Sequence, residues 1–226
     1  VYVYPFVVGA TLEATSWDNI AAVSKCGQAP NYRKVGDKKN ITVNGVTYAA
    51  QIIGFDHDTL TTADGSRTKA GITFQLVDCL KTTYSMNGSN TNVNGWRGST
   101  MRTSTMATLL NQLSSDLKSV LKFVNKVTSK GNNQSGLETT SDKLFLLSEI
   151  EVFGATQYSY AGEGKQYEYY TAGNSTIKKV NGSANGWWER SPRASNTAHF
   201  CNVDSNGGAP TANANDSYGV AFGFCV

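Results

Sequence analysis

Two histidines, His57 and His199, bound the metal and acid–base chemistry open to this chain. A three-histidine zinc site is out of reach, and Cys26, Cys79, Cys201 and Cys225 are spaced to match no zinc or redox motif. No metal, no cofactor and no catalytic set is expected on these grounds. His57 sits in Asp56-His57-Asp58, which holds the residue types of a ligand set or of a general base beside its carboxylate. Neighbours at a strand end point in different directions, so a polar turn after Ile53-Gly54-Phe55 is the simpler reading. A Ser/His/Asp triad on His57 would have to assemble in space, and no Gly-x-Ser-x-Gly elbow accompanies it. Cys79 and Cys225 lie in apolar settings and read as buried small hydrophobes.

Glu149 and Glu151 are the second candidate pair, since two carboxyls about 5–10 Å apart suit glycoside hydrolysis. Their setting, Leu144-Phe145-Leu146-Leu147-Ser148-Glu149-Ile150-Glu151-Val152-Phe153-Gly154, favours structural roles instead. The expectation is a carboxylate that accepts backbone N–H groups or pairs with Arg190. Trp187 and Trp188 could stack on a sugar if exposed. Beside Arg190-Ser191-Pro192, one ring is expected to be buried and the other partly so.

The third candidate is a whole segment. Residues 190–226 contain no Lys, Glu, Gln, Met or Trp, and are crowded with Asn, Ser, Thr, Ala, Gly and Asp. Random replacement of the adenines in an AAC codon reaches most residue types but not those five absent ones. A polar, turn-rich loop would share part of this composition. Between apolar flanks, Phe200, Val203, Gly207, Ala214, Ser217 and Gly219 read as fixed positions, with loose positions between them.

This arrangement resembles the C-terminal variable region of proteins diversified by retroelements, which share a C-type-lectin-like fold related to formylglycine-generating enzymes. Upstream, Gln51-Ile52-Ile53-Gly54-Phe55-Asp56-His57-Asp58, Ile72-Thr73-Phe74-Gln75 with Asp78-Cys79-Leu80, and the Leu144 to Gly154 block are similar to uncharacterised domains of gut-bacterial surface and phage proteins. The resemblance implies an α+β fold: one C-type-lectin-like domain over 1–226, with a mixed or antiparallel sheet, two or three helices and long irregular loops. It implies a non-catalytic binding protein, because the cysteine arrangement of formylglycine-generating enzymes is missing. The ligand-contacting set would be Arg193, Ser195, Asn196, Ala198, His199, Cys201, Asn202, Asp204, Asn206, Gly208, Pro210, Thr211, Ala212, Asn213, Asn215, Asp216 and Tyr218. Tyr218, His199 and Arg193 would contribute most of the contact energy, with Asn and Asp orienting the partner.

The elements that must position these groups are partly legible. Ser16 caps a short helix from Trp17, which stops near Gly27 and Pro30. Asn44-Gly45 centres a hairpin, followed by a buried strand over 50–55; Asp64-Gly65 marks a turn before a strand over 72–77. Apolar stripes on Met101, Met106, Leu109, Leu110 and Leu113, then on Leu117, Val120, Leu121 and Val124, predict helix to about Val127 with a break at Ser114 or Ser115. Residues 130–141 and 210–218 read as loops, 157–184 as irregular, and Leu144 to Leu147 as buried. The strand holding Phe200 and Val203 should be short and turn near 204–208. Most of the contact set should stay accessible above Trp187, Trp188 and Phe222.

Bulk properties narrow the partners. A net charge of +3, with no basic run longer than Lys38-Lys39 or Lys178-Lys179, argues against nucleic acid. No apolar run is long enough to enter a membrane directly. Residues 1–10 lack a basic region and cleavage site, so they do not read as a signal peptide, and Val1-Tyr2-Val3-Tyr4 reads as a strand. Eleven Tyr and four Trp among few charges suit a recognition surface. The expected partner is a protein or glycan receptor on a cell surface, met outside the cell from a phage tail tip or a bacterial surface. The alternatives are a hydrolase of surface glycan or peptide, using His57 with Asp56 or Asp58 or the Glu149/Glu151 pair, and a ligand-free virion or pilus component.

Overall fold

The computed structural model describes residues 7–226; the strand expected at Val1-Tyr2-Val3-Tyr4 lies outside them. Ser16 accepts the Asn19 N–H and starts helix α1 (Trp17–Lys25), which Gly27 ends at φ 67°. Pro30 stands in the first turn of α2 (Ala29–Tyr32). Strands β1 (Lys38–Val43) and β2 (Val46–Phe55) meet across Asn44-Gly45, both at positive φ, with Val43 facing Val46. Strands β3 (Thr59–Asp64) and β4 (Arg67–Lys69) form a second hairpin, and β5 (Ile72–Leu76) is buried throughout.

The chain then turns helical in short pieces: α3 (Gly95–Gly98), a π-helical turn (Met101–Met106), α4 (Ala107–Gln112) and α5 (Ser115–Val120). Ser114 stands at the break, as expected. The helix does not reach Val127, however. Val124 opens β6 (Val124–Ser129), whose inward positions are Val124, Lys126 and Thr128. A lysine at an inward position hid the period-two alternation. The same reason applies to β7 (Leu137–Asp142), which replaces part of the loop expected over 130–141: its inward residues, Thr140 and Asp142, are polar. The remaining elements are β8 (Leu144–Phe145), α6 (Glu149–Phe153), α7 (Glu168–Thr171), β9 (Lys178–Val180), β10 (Ser183–Asn185), β11 (Trp187–Pro192), β12 (His199–Val203), β13 (Thr211–Asn213) and β14 (Gly223–Cys225).

The architecture is α+β, with more and shorter helices than the two or three expected. All strand ladders among the described residues are antiparallel. The central sheet runs β1-β2-β5-β14-β8, so the C-terminal strand is inserted between β5 and β8. There Phe224 opposes Phe74, the rings stack 5.1 Å apart, and Trp17 packs edge-on at 5.5 and 6.0 Å. A second sheet runs β4-β3-β6-β7 and a third β11-β12-β13. The four cysteines are unpaired, and Cys79, Cys201 and Cys225 are buried. Among the described residues no helix is long and apolar enough to cross a membrane.

Candidate functional site

Strand β11 is buried at all six positions and carries the groups that organise the site. Both tryptophans are fully buried, which corrects the half-exposed ring expected at this pair. Their indoles are satisfied inside: Trp187 Nε1 donates to the Thr176 carbonyl at 2.9 Å and Trp188 Nε1 to that of Tyr84 at 2.7 Å. Neither ring is open for a sugar.

Arg190, two residues past Trp188 on β11, anchors a buried row of alternating charges. Its guanidinium bonds both oxygens of Glu151, and also donates to the carbonyls of Leu146 (3.0 Å) and Glu163 (2.7 Å) and to Thr128 Oγ1 (3.0 Å). Lys126 Nζ, 4.2 Å above the Phe145 ring, bridges Glu151 Oε1 (2.8 Å) to Asp58 Oδ1 (2.7 Å). The row Asp58–Lys126–Glu151–Arg190 is neutral as a whole and ties the β2–β3 turn, β6, α6 and β11 together. Burial pushes the Asp58 carboxyl up, but Lys126 and His57 outweigh it and hold it well below the usual range. Burial likewise opposes Glu151, and Arg190 with Lys126 keep it lowered. Such groups are expensive to isolate, because removing one partner strands a charge in low dielectric.

The two glutamates of the suspected catalytic pair take the structural roles expected of them. Glu151 closes a capping box with Ser148, its Oε2 accepting the Ser148 N–H at 3.0 Å. Glu149 accepts the N–H groups of Tyr158 (3.1 Å) and Ser159 (2.8 Å) and the Ser159 hydroxyl (2.6 Å). Neither carboxyl reaches solvent.

The Asp56-His57-Asp58 run is more than a polar turn. Asp56, at φ 47°, is exposed and pairs with Arg67, while Asp58 turns inward. There Asp58 also accepts from Thr73 Oγ1 (2.7 Å) and the Tyr167 hydroxyl (2.9 Å). His57 stacks on Tyr167 at 3.9 Å, with Nε2 3.0 Å from the Lys165 carbonyl and Nδ1 3.6 Å from Asp58. The nearest thiol, Cys225, lies 3.6 Å from Asp58, and burial pushes it well up, so it stays protonated.

Two more acids lie beside this row. Glu163, between Gly162 and Gly164, accepts the Ser129 N–H (2.8 Å) and the Ser191 hydroxyl; burial pushes it up to about 7. Glu189 is fully buried, and neither oxygen has a hydrogen-bond partner among the described residues. Burial, then Glu149 and Glu163, push it well above the carboxylate range, so it stays a neutral acid. Sequence reasoning missed Lys126, Glu163, Tyr167 and Glu189. The available signal was a charge at an inward position: Lys126 between Val124 and Thr128, Glu189 between Trp188 and Arg190.

Over this interior lies the loose segment. Phe200, Val203 and Val220 are fully buried, as anchors should be. Of the seventeen proposed contact residues, Ser195, Asn206, Gly208 and Asn215 are exposed. Arg193, Asn196, Ala198, His199, Asp204, Pro210, Thr211, Asn213, Asp216 and Tyr218 are half-buried. Cys201, Asn202 and Ala212 are buried, which removes them from a contact surface. Cys201 and Asn202 lie in the middle strand of their sheet, and Ala212 sits opposite Phe200. Pairing of β12 with β13 also corrects the loop expected over 210–218. His199 faces Asn213 across that ladder, and both His199 Nδ1 and Arg193 Nη1 stand 3.1 Å from Thr211 Oγ1. Three acceptors expected to orient a partner bond their own turns instead. Asn196 takes the Ala198 and His199 N–H groups, Asp204 those of Asn206 and Gly208, and Asp216 that of Asn213.

A family described as a domain of unknown function (DUF6273) matches residues 70–226, well over half of the chain. The chain belongs to this family. No curated protein and no solved structure matches it. The DUF6273 match begins just before β5, yet β1 and β2 complete the same sheet and Asp58 completes the buried charge row. Among the described residues of this DUF6273 chain, no group of three or more His, Cys, Asp or Glu is arranged to hold a metal ion.

Proposed function

We propose that the chain is a binding module without chemistry of its own, presenting residues 193–218 to a protein or glycan receptor on a cell surface. In this reading the α+β scaffold is C-type-lectin-like, the segment is diversified at adenines, and the module works outside the cell on a phage tail tip or a bacterial surface. One observation carries it: the segment separates what is buried from what is free. Its apolar residues Phe200, Val203, Val220, Phe222 and Phe224 are fully buried, while fourteen of the seventeen contact residues keep solvent access. A backbone held by such anchors tolerates change in the side chains between them, as a paratope does. The hydrolase reading draws less support, because Asp58, Glu149 and Glu151 are all engaged by internal partners.

The test has a genetic arm and a physical one. A near-copy of the 3′ coding segment, differing only at adenines and lying beside a reverse transcriptase gene, is the expected finding. Libraries randomised at His199, Thr211 and Asn213 should then yield folded variants that select different cell-surface receptors. A library in which most members fail to fold would overturn the reading.

A further inference from the structure

Beside the β12–β13 face lies an open groove of about 500 Å³ that no part of the proposed function uses. Its walls include Asn94, Arg97, Lys130, Asn132, Gln134 and Glu138. None of these belongs to the loose segment. The two segments that build it, the turn into α3 and the β6–β7 connection, abut backbone to backbone. A Cβ on Gly131 would fall 1.9 Å from the Asn92 carbonyl oxygen, and one on Gly95 2.4 Å from that of Ser129. Asn94 and Asn132 hold left-handed backbone at φ 66° and 51°, which asparagine tolerates better than most residues. Buried Asn92 locks the assembly. Its Oδ1 accepts the Asn132 N–H at 2.8 Å, and its Nδ2 donates to the carbonyls of Asn196 (2.6 Å) and His199 (2.8 Å). The groove is therefore preformed and joined directly to the segment beside it.

Its polar groups face solvent. The side chains of Asn94, Lys130, Asn132 and Gln134 make no hydrogen bond or ion pair with any described residue. Arg97 reaches Glu138 through one nitrogen only, at 3.3 Å. Two cations against one carboxylate leave a single net positive charge. Three carboxamides each offer donors and an acceptor, the pattern that adjacent hydroxyls complement. An apolar peptide anchor would find only Val93, the one large apolar side chain in the wall. One net charge is too little for a phosphate backbone, whose binding rests on many cations.

We propose that this groove is a binding subsite for an acidic saccharide, its carboxylate taken by Lys130 and its hydroxyls by the Asn94, Asn132 and Gln134 amides and the Arg97–Glu138 pair. The subsite lies outside residues 190–226 and stands whether or not that segment varies. Oligogalacturonate, oligoguluronate and sialyllactose, titrated into the isotope-labelled full chain and followed by amide NMR, test it, with cellotetraose and a Glu-rich peptide as comparisons. At least one acidic sugar should shift the amides of Asn94, Lys130 and Gln134, with cellotetraose and the peptide weaker. Lys130→Ala should weaken binding about tenfold, the factor one charge-assisted hydrogen bond supplies, and Gln134→Ala should weaken it less. Both residues are exposed, so both variants should fold. His199→Ala should leave this binding unchanged, which separates the groove from the display face. No shift with any acidic sugar, unchanged affinity in Lys130→Ala, or tighter binding of the peptide would overturn the proposal.

Discussion

Glu163→Gln should erase a pH dependence of stability that the wild-type chain carries between about pH 4.5 and 7. The Glu163 carboxyl is fully buried, accepts the Ser129 N–H and the Ser191 hydroxyl, and is pushed by burial from 4.5 to about 7. The unfolded chain releases this proton near 4.5, while the folded chain keeps it to about 7. Below the lower value both states hold the proton, and the contribution to stability is complete. As pH rises towards the upper value the unfolded state gains by ionising alone, so stability falls. The gap of about 2.5 units, at roughly 1.4 kcal/mol per unit, amounts to about 3 kcal/mol. Glu189 shifts in the same direction, and burial with Glu149 holds it protonated with either residue at position 163, so its own pH dependence is common to the two proteins. Asp58 and Glu151, held low by their cations, titrate below the window. Urea unfolding at half-unit steps from pH 4.5 to 7.5 should show wild type losing about 3 kcal/mol more than Glu163→Gln. A constant offset between the two curves across that range would refute the reasoning.

Three further outcomes follow from the same pattern of burial. Glu189→Leu should stabilise the fold by about 1–3 kcal/mol, more at pH 8 than at pH 5, because it removes an acid with no hydrogen-bond partner; a less stable variant at both pH values would count against it. Arg190→Met should cost about 3–5 kcal/mol in chemical denaturation by stranding Glu151, and adding Glu151→Leu should recover part of that loss; equal stability of Arg190→Met and wild type would contradict the charge row. Asn215→Tyr and Ser195→Tyr should shift stability within about 0.5 kcal/mol, whereas Asn202→Tyr should destabilise strongly because Asn202 is buried; thermal melts in the reverse order would reject the assignment of free and fixed positions.

What was readable in the sequence is what short stretches decide by themselves. Ser16 starts a helix because its hydroxyl meets an N–H three residues on, and Asn44-Gly45 turns the chain because both residues tolerate positive φ. Ser114 marks the break between α4 and α5, and the apolar anchors Phe200, Val203 and Val220 declare themselves by type. That the Glu149/Glu151 carboxylates would accept backbone N–H groups or pair with Arg190 was also legible, but only the fold assigns Arg190 to Glu151 and the N–H groups of Tyr158 and Ser159 to Glu149. Burial of a residue with no apolar character was not. Lys126 turns inward because Asp58 and Glu151 wait for it from distant parts of the chain, so the β6 alternation looked like the tail of a helix. Cys201, Asn202 and Ala212 are buried because β11, β13 and Phe200 lie against them, a consequence of strand order that residues 190–226 do not carry in their composition. The groove around Lys130 exists only because Gly131 and Gly95 let two separate loops touch. Local propensity acts over a few residues and is written in sequence; charge compensation and coverage act across space, and only the folded chain brings their partners together.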